Sequence, residues 1–300
     1  MLKAILMVTV MVSDPNQVAD IYQDTLNYQE VASGEVGAVL AASWNAPDLA
    51  DNPFEIIQPE SNEPVYLRFV QTPDQGNYEP LKTEGWNAIE ILVEDPDALN
   101  VRLEASPHFE VIGQPNFLTE QKRIKAMQAI GPGNELLYFT RITPDNSGFG
   151  LLPATSPVDR VFIMVLAARD RTAIDTFYRD TLGMPVNGPY DYKVSVLSRA
   201  WGVPDDTMYP LTIVPLSQRF LLELDDYPDE AANRSPTSEG MPGGIAMVTF
   251  LVDDISPYRE HWLGIPAANP GAPYNGRRSV VLRGAAGEYI ELVEDPPAAE

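Results

Sequence analysis

Nearly the same five residues occur twice in this chain, and their spacing constrains its fold more than any other feature. YQDTL occupies residues 22–26 and YRDTL residues 178–182, an offset of 156. Asp14 and Asp170 are also 156 residues apart, and each one ends an apolar run. The segments WNAPD and WGVPD recur further along at an offset of 157. Matches that keep their order and drift only at loops are typical of an internal duplication.

Each half of this duplication contains a second unit with the same order of elements. AIEILVED (88–95) and MVTFLVDD (247–254) are apolar segments that end in acidic residues, and a predicted helix follows each of them. Each second unit then closes with a glycine turn and a strand, in GPGNELLYFTR and GAAGEYIELVE. Apolar spacings of three, four and eight residues after Asp14 and Asp170 predict an amphipathic helix. We therefore predict four units, each made of a strand, a helix and about three strands.

Polar segments rich in Pro and Gly separate these units. They lie near residues 72–84, 142–157 and 226–243. Such segments are typical of turns and linkers. The middle one is the longest, so we predict two domains, 1–145 and 156–300, with two units in each.

Composition excludes several classes of protein. The 20 basic and 43 acidic residues give a net charge of −23, which repels phosphate groups, so we expect no nucleic-acid or membrane partner. The chain has no cysteine, which excludes disulfides, thiolate metal sites and a cysteine nucleophile. It also lacks a glycine-rich phosphate loop and a GxSxG nucleophile motif. The apolar N-terminus has a counterpart in mid-chain, so we interpret it as a strand. We expect a cytoplasmic protein with a small-molecule ligand, and leave a homodimer open.

Three segments carry a resemblance to a known superfamily. FYRDTLGM (177–184), VTFLVDD (248–254) and GEYIELVE (287–294) resemble the vicinal oxygen chelate superfamily, which includes glyoxalase I, extradiol dioxygenases and bleomycin-resistance proteins. The resemblance covers nearly the whole chain. It implies an α+β fold in which two βαβββ modules pair into a cupped mixed sheet that holds the ligand, so that four modules form two cups. The sequence leaves open whether modules pair 1–2 and 3–4, or 1–4 and 2–3.

The resemblance also implies where a metal ion would bind. One ligand, commonly His or Gln, lies seven residues before the acid that ends each first strand, and the other is a Glu on each last strand. The first-strand positions hold no usual ligand and are Met7, Ala88, Ile163 and Met247. The last-strand positions are Arg68, Tyr138, Glu223 and Glu291. We therefore expect at most two carboxylates in each cup, no metal and no other cofactor, which counts against an extradiol dioxygenase. Magnesium, which two carboxylates and water can hold, stays open for the 1–2 and 3–4 pairing, in which Glu223 and Glu291 would meet.

The two histidines do not change that expectation. His108 follows the helix of the second module, and His261 lies within the predicted helix of the fourth. Both fall in the outer helical layer and in different halves of the chain, so we predict that neither is a metal ligand.

Two carboxyl groups are candidates for catalysis. Glu223 and Glu291 are predicted to point into the cups from otherwise apolar strands. A buried carboxylate either pairs with a cation, for instance Arg68 or Arg160, or becomes protonated, which suits general acid–base catalysis. In the catalytic alternative, Glu223 or Glu291 is the base, and Arg68, Tyr138 or Tyr192 stabilises an oxyanion.

Five further residues are predicted to contact a substrate, namely Ile163, Tyr192, Lys193, Trp201 and Met247. Tyr192 and Lys193 have no counterpart in the first module, which favours the second half of the chain as the functional one. Trp201 recurs as Trp44, which favours an architectural role for it.

Two classes of function fit these observations. The first is a metal-independent lyase or isomerase that moves a proton next to a carbonyl or phenol of an aromatic or apolar substrate. The second is a protein that binds and sequesters a small molecule without catalysis, as metal-free resistance proteins of the superfamily do. A divergent ring-cleavage dioxygenase ranks below both. Four-module chains in the superfamily are often enzymes, which favours the first class, although a fold alone does not establish a function.

Overall fold

Four modules with the predicted order of elements form the protein. The computed structural model describes residues 1–118, 120–143, 150–217 and 219–296. The predicted domain boundary at residue 145 lies outside the described residues. None of the described helices is long and apolar enough to cross a membrane.

The first two modules have the following elements. Module 1 comprises β1 (Ala4–Val12), α1 (Pro15–Leu26), β2 (Gln29–Glu35), α2 (Ala38–Ser43), a 3-10 turn (Pro47–Leu49), β3 (Pro53–Gln58) and β4 (Tyr66–Gln71). Module 2 comprises β5 (Gly85–Val93), α3 (Pro96–Ala105), β6 (Glu110–Phe117), β7 (Ile124–Ile130) and β8 (Leu136–Ile142).

The last two modules repeat this order. Module 3 comprises β9 (Val158–Ala168), α4 (Arg171–Thr176) with a π-helical turn (Phe177–Thr181), β10 (Asn187–Lys193), α5 (Ser195–Trp201), β11 (Met208–Ser217) and β12 (Phe220–Asp226). Module 4 comprises β13 (Gly244–Val252), a 3-10 helix (Ser256–His261), β14 (Ala267–Ala268), β15 (Arg278–Arg283) and β16 (Tyr289–Glu294).

The acidic residue after each first strand explains where the next element begins. The side chains of Asp14, Asp95, Asp170 and Asp254 each accept a hydrogen bond of 2.8 to 3.0 Å from a backbone N–H two or three residues later. Such a side chain satisfies one of the free N–H groups at a helix N-terminus. In modules 1 to 3 the strand-ending acid is therefore the N-cap of the helix, whereas in module 4 Asp254 lies one residue before Ile255, the N-cap of a 3-10 helix.

The strands form two eight-stranded mixed sheets. One has the order β14-β15-β16-β13-β1-β4-β3-β2 and the other β10-β11-β12-β9-β5-β8-β7-β6. In each sheet the first strands of two modules pair antiparallel at the centre, β1 with β13 and β5 with β9. Modules therefore pair 1–4 and 2–3, and we name the two concave faces the 1–4 cup and the 2–3 cup.

This pairing joins the two halves of the chain. Each sheet contains one module from each half, so neither sheet coincides with residues 1–145 or 156–300. The division of the chain into those two domains stays a prediction.

The two sheets share one apolar core through the faces opposite their cups. Alternate residues of the four first strands, together with side chains of α1, α3 and α4, belong to a single buried cluster. Trp86 of β5 lies with its ring centroid 6.1 Å from that of Phe250 in β13, and its Nε1 donates a 2.8 Å hydrogen bond to the carbonyl of Tyr289. The cups therefore lie on the outer sides of the shared core.

The repeated tyrosine of YQDTL and YRDTL connects the two sheets. Tyr22 of module 1 donates a hydrogen bond to the buried carboxyl group of Glu135, in the glycine turn of module 2. Tyr178 of module 3 lies against Glu288, in the glycine turn of module 4. A Cβ at Gly131 would lie 2.1 Å from a carboxyl oxygen of Glu135, so glycine lets this side chain fold over its turn. The duplicated motif therefore holds one buried Tyr–Glu contact in each half.

We expect Tyr22→Phe to lower the free energy of unfolding by about 1–3 kcal/mol, because the buried Glu135 carboxyl loses its hydrogen-bond donor. Burial raises the pKa of Glu135 to about 7, and the Tyr22 hydroxyl counteracts that rise by stabilising the ionised form. The loss should therefore be larger well above pH 7 than well below it, as measured by urea denaturation. Tyr190→Phe, at an exposed tyrosine, is the matched control and should have no effect at either pH. An equal loss at both pH values would contradict this account.

Candidate functional site

The module pairing brings four equivalent positions together at the centre of each cup. Each set contains one residue from the first strand and one from the last strand of both modules. In the 1–4 cup, the neighbouring pairs are Thr9 with Arg68 and Thr249 with Glu291. In the 2–3 cup, they are Val165 with Glu223 and Glu90 with Tyr138. We call these the central residues of each cup.

The centre of the 1–4 cup is a buried ion pair. Arg68 Nη2 lies 3.7 Å from Glu291 Oε2, and the two side chains are 1% and 0% exposed. Glu291 also accepts hydrogen bonds from Thr249 Oγ1 at 2.7 Å, from the Tyr274 hydroxyl at 2.9 Å and from Trp44 Nε1 at 3.1 Å. Its carboxylate is therefore surrounded by donors from the protein itself.

Arg68 is equally well satisfied. It donates to Thr9 Oγ1 from Nε at 3.0 Å and from Nη2 at 2.7 Å, and to the Tyr274 hydroxyl from Nη1 at 2.6 Å. The guanidinium also lies 4.3 Å from the centroid of the Trp44 ring. A buried ion pair is tolerated only with such additional hydrogen bonds. This geometry favours the salt-bridge alternative for Glu291 and Arg68.

An apolar cluster closes the 1–4 cup. Residues of α2 and the following turn, including Ala41, Trp44 and Leu49, pack against Met11 and Met247 with almost no exposure. The predicted substrate residue Met247 thus lies in the packing of this cover, and the central residues of the 1–4 cup are sealed from solvent.

The centre of the 2–3 cup contains carboxyl groups instead of an ion pair. Glu90 and Asp225 are 7% and 6% exposed, and Glu223 is half-buried. Thr140 Oγ1 donates a 2.5 Å hydrogen bond to Glu90 Oε1. Among the described residues, no Lys or Arg forms an ion pair with any of the three, and no cation contributes to their pKa values. Three acids therefore face one another without a counter-charge from the chain.

The expectation that no cup holds more than two carboxylates was wrong. That expectation counted only one position on each strand. Side chains two residues apart point to the same face of a strand, so each strand places further residues in the cup. Glu90 lies two residues after Ala88, and Asp225 lies two residues after Glu223. A carboxylate in the middle of the wholly buried strand β5 was the signal in the sequence that would have identified Glu90.

Burial and mutual repulsion keep these acids protonated to unusually high pH. Burial, followed by the charge of Glu223, raises the pKa of Glu90 to about 8. Burial and the neighbouring Asp225 raise the pKa of Glu223 well above its usual value, and burial raises that of Asp225 as well. Burial also raises the pKa of Tyr138, with the carboxyl groups adding to the effect, so its hydroxyl stays a donor. Acids with pKa values near neutrality can both give and take protons.

Covers close the two ends of the 2–3 cup but leave its centre partly open. Val196 and Leu197 of α5 pack over Ala88 at one end, and Arg199 ties this helix to β6 by a 2.7 Å hydrogen bond to the Ile112 carbonyl. Leu151 belongs to the apolar cluster at the other end. Glu223 and Tyr138, between the covers, are both half-buried, whereas the central residues of the 1–4 cup are buried. The 2–3 cup is therefore the accessible one.

The structure places the other predicted substrate residues around this cup, with one exception. Tyr192 pairs with Tyr209 across the edge of the sheet, which places it on the concave face, and it is 48% exposed. Lys193 is the next residue, so it belongs to the opposite face. Ile163 lies in the apolar cluster at one end of the cup. Trp201 ends α5, with Lys82 Nζ 3.8 Å from its ring centroid.

The donor set does not fit the zinc or iron site that the resemblance implies. In the described ranges, no three His, Cys, Asp or Glu residues form a group that could hold a metal ion. His108 lines a cleft of about 420 Å³ beside α1, and His261 packs edge-on against Phe177, so neither imidazole reaches a cup. The first-strand positions of the 2–3 cup, Ala88 and Ile163, are apolar. The residues of the 2–3 cup therefore have to act without a metal ion in the chemistry proposed for this site.

We expect Glu291→Gln to lower the free energy of unfolding by about 3–5 kcal/mol, because it leaves the buried Arg68 without its counter-charge. The same substitution in the other cup, Glu223→Gln, should cost less than about 1 kcal/mol or stabilise, because it removes a buried acid that has no cation. Chemical denaturation measures the free energy of unfolding of both variants, which carry the same Glu→Gln substitution in different cups. Equal costs would show that the two cups do not differ as described.

We also expect protein purified without chelator to contain well under one equivalent of zinc, iron or manganese. Three or four protein ligands rich in imidazole are usual for a catalytic zinc site, and neither cup supplies them. Elemental analysis, and thermal unfolding with and without EDTA, measure this. About one metal ion per chain, lost to EDTA together with thermal stability, would refute the expectation.

The comparisons with known proteins agree with the geometry at the level of the fold. No protein-family model matches the chain, and no curated protein matches it by sequence. Glyoxalase I from Zea mays is similar in structure, with a TM-score of 0.62, 14% sequence identity, and coverage of 97% of this chain and 92% of that one. A Bacillus subtilis protein assigned as a dioxygenase gives a TM-score of 0.61, 11% identity, and coverage of 99% and 86%. The predicted resemblance is thereby confirmed, and the chain has the vicinal oxygen chelate fold, with four modules in two cups.

Proposed function

We propose that the 2–3 cup is the active site of a metal-independent enzyme of the lyase or isomerase type. It moves a proton next to a carbonyl or phenol group of a small aromatic or apolar substrate. One observation carries this proposal: a half-open cup holds three carboxyl groups with no cation from the chain, at a place where the sealed cup holds an ion pair. Keeping such acids buried costs stability, and a site that transfers protons accounts for that cost.

The coupled pair of Glu223 and Asp225 is the proposed base. The two side chains lie close enough to share a proton, so near neutral pH the pair carries one proton and one negative charge. The pKa values place the shared proton on Glu223, so Glu223, the more exposed of the two, passes that proton to Asp225 as it takes one from the substrate carbon next to the carbonyl. The electrons of the broken C–H bond pass to the carbonyl oxygen and form an enolate.

Tyr138 and Glu90 complete the proposed mechanism. The Tyr138 hydroxyl, which stays protonated, donates a hydrogen bond to the enolate oxygen. Glu90, held by Thr140 and protonated below about pH 8, returns a proton to the substrate in an isomerisation or to the leaving group in an elimination. Arg68 and Glu291 have no part in this mechanism, because their hydrogen bonds are already made within a sealed cup.

Binding without catalysis is the second candidate. Tyr190 and Tyr192 are 41% and 48% exposed, and both belong to the concave face at the rim of the 2–3 cup. An exposed aromatic rim is typical of a ligand-binding surface. In this alternative the cup sequesters a small molecule and releases it unchanged.

The remaining parts of the proposal rest on the sequence. The charge of −23 supports a small-molecule partner over nucleic acid or an anionic membrane. A cytoplasmic location is proposed from the absence of cysteine, and a homodimer stays an open partner.

Exchange of substrate hydrogens with solvent deuterium tests the enzyme. We expect NMR to show exchange next to the carbonyl in one or more members of a panel of aromatic ketones and α-hydroxyketones. Glu223→Gln should slow it by at least about 100-fold, the usual contribution of a general base. Glu288→Gln is the matched control, because Glu288 is a buried acid with a raised pKa outside both cups. Compounds that bind and return without exchange would favour sequestration.

The pH profile gives a second readout. The exchange rate should rise as the Glu223–Asp225 pair loses its first proton and fall above about pH 8, where Glu90 becomes ionised and can no longer donate. Glu90→Gln should lower the rate and remove that fall. A fall that persists in Glu90→Gln would show that Glu90 is not the acid.

A further inference from the structure

The 1–4 cup shows how this fold holds a cation at its centre. The Arg68 guanidinium lies 3.7 Å from the Glu291 carboxylate, 4.3 Å from the Trp44 ring centroid and within a 2.6 Å hydrogen bond of the Tyr274 hydroxyl. A carboxylate, an aromatic face and a hydroxyl therefore surround one positive charge. Because the modules are repeats, the 2–3 cup has equivalent positions.

The 2–3 cup has the anionic and aromatic parts of that arrangement without the cation. Glu223 stands where Arg68 does, and Trp201 ends α5 in the place that Trp44 takes after α2. Glu90, Tyr138 and Asp225 supply the acids and the hydroxyl. Lys82 Nζ lies 3.8 Å from the Trp201 ring centroid, and in the described part of the chain no Lys or Arg forms an ion pair with Glu90, Glu223 or Asp225.

Two buried polar atoms in the 2–3 cup have no hydrogen-bond partner. Asp225 is 6% exposed and shares the concave face with Glu223. Apart from the proton that it shares with Glu223, its carboxyl group has no donor at Oδ1. Trp201 Nε1 is buried without an acceptor, although the equivalent Trp44 Nε1 donates to Glu291 at 3.1 Å. Unsatisfied buried atoms are uncommon in proteins and require an explanation. A ligand that brings hydrogen-bond donors to the acids would satisfy Asp225, whereas the Trp201 N–H requires an acceptor elsewhere on the ligand and does not favour a cation.

The charge of that ligand follows from the charges that face it. The acids repel an anion, as does the net charge of −23. A neutral ligand leaves the buried carboxylate charge unpaired, whereas a cation forms the ion pair that the 1–4 cup makes internally. An ammonium or guanidinium group also supplies three to five donors to carboxylate oxygens.

We propose that the ligand of the 2–3 cup carries an amine or guanidine cation, seated among Glu90, Glu223 and Asp225 where the 1–4 cup holds the Arg68 guanidinium. This rests on the proposed function, since it names the substrate class of the same site. A cation there stabilises the ionised acids and lowers their pKa values, so with a cationic substrate bound Glu90 keeps the proton it donates only up to a pH below 8. Binding below about pH 8 therefore releases protons.

Three probes of similar shape test the inference. Benzylammonium, benzyl alcohol and benzoate differ mainly in charge, and ligand-observed NMR and calorimetry measure their binding. We expect benzylammonium to bind at least about tenfold tighter than benzyl alcohol, and benzoate not to bind. Calorimetry in buffers of different ionisation enthalpy should show proton release with benzylammonium. Saturable binding with no preference for the cation, or no binding of benzylammonium at all, would overturn the inference.

One substitution gives the 2–3 cup the central arginine of the 1–4 cup. Glu223→Arg places the residue of the 1–4 cup at the equivalent position, where its guanidinium is expected to pair with Glu90 and Asp225. We expect this variant to lose benzylammonium binding and to unfold at a temperature no lower than that of the wild type. Glu288→Gln should keep the binding. If Glu223→Arg folds and still binds benzylammonium with wild-type affinity, the cation does not sit in this cup.

The two proposals can fail separately. If neutral ketones exchange deuterium in a reaction that depends on Glu223, and the cup shows no preference for benzylammonium, the proposed enzyme stands and the cationic ligand is overturned. The opposite result is selective binding of benzylammonium that Glu223→Arg abolishes, together with no exchange in any substrate, amines included. That result would keep the cationic ligand and favour sequestration.

Discussion

The antiparallel pairing of the first strands decides which side chains share a cup. Because β1 pairs with β13 and β5 with β9, Arg68 faces Glu291 while Glu223 faces Tyr138 and Glu90. Pairing within each half of the chain would have put Glu223 and Glu291 together and left Arg68 without its acid. The distribution of charge between a neutralised cup and an acidic one thus follows from the backbone.

The difference between the cups is a difference in how buried charge is compensated. Arg68 and Glu291 neutralise each other and exhaust their hydrogen bonds, which makes the 1–4 cup a structural centre. In the 2–3 cup, burial and then repulsion between the acids favour their protonated forms instead. The same fold therefore supplies one cup with a neutralised centre and one with an acidic centre.

The sequence predicted the repeat, the four modules and the fold, because period-two strands and acid-capped helices are local patterns. It placed Glu223 and Tyr138 in the cups because the resemblance gives one ligand position on each last strand, and their roles stay predictions. It could not decide the module pairing, which depends on contacts between distant strands, and so it could not say that Arg68 would neutralise Glu291. The sequence did not predict Glu90, because all nine residues of β5 are buried on one face or the other and the family pattern gives only the position of Ala88 on this strand.

The acidic cup also makes stability depend on pH in an unusual direction. An acid whose pKa is raised by folding binds more protons in the folded state than in the unfolded state. Its contribution to the stability of the folded protein is complete below its unfolded-state pKa and is lost as the pH rises to its folded-state pKa. For Glu90, with a pKa of about 8, the loss extends from about pH 4.5 to about pH 8, at up to about 1.4 kcal/mol per pH unit. Glu135 and Glu288, with pKa values of about 7, act in the same direction. Of Glu90, Glu135 and Glu288, only Glu90 lies in the 2–3 cup, so a cation bound there would reverse the loss of stability that comes from Glu90 alone. Occupancy of that cup is thereby linked to the stability of the whole protein at neutral pH.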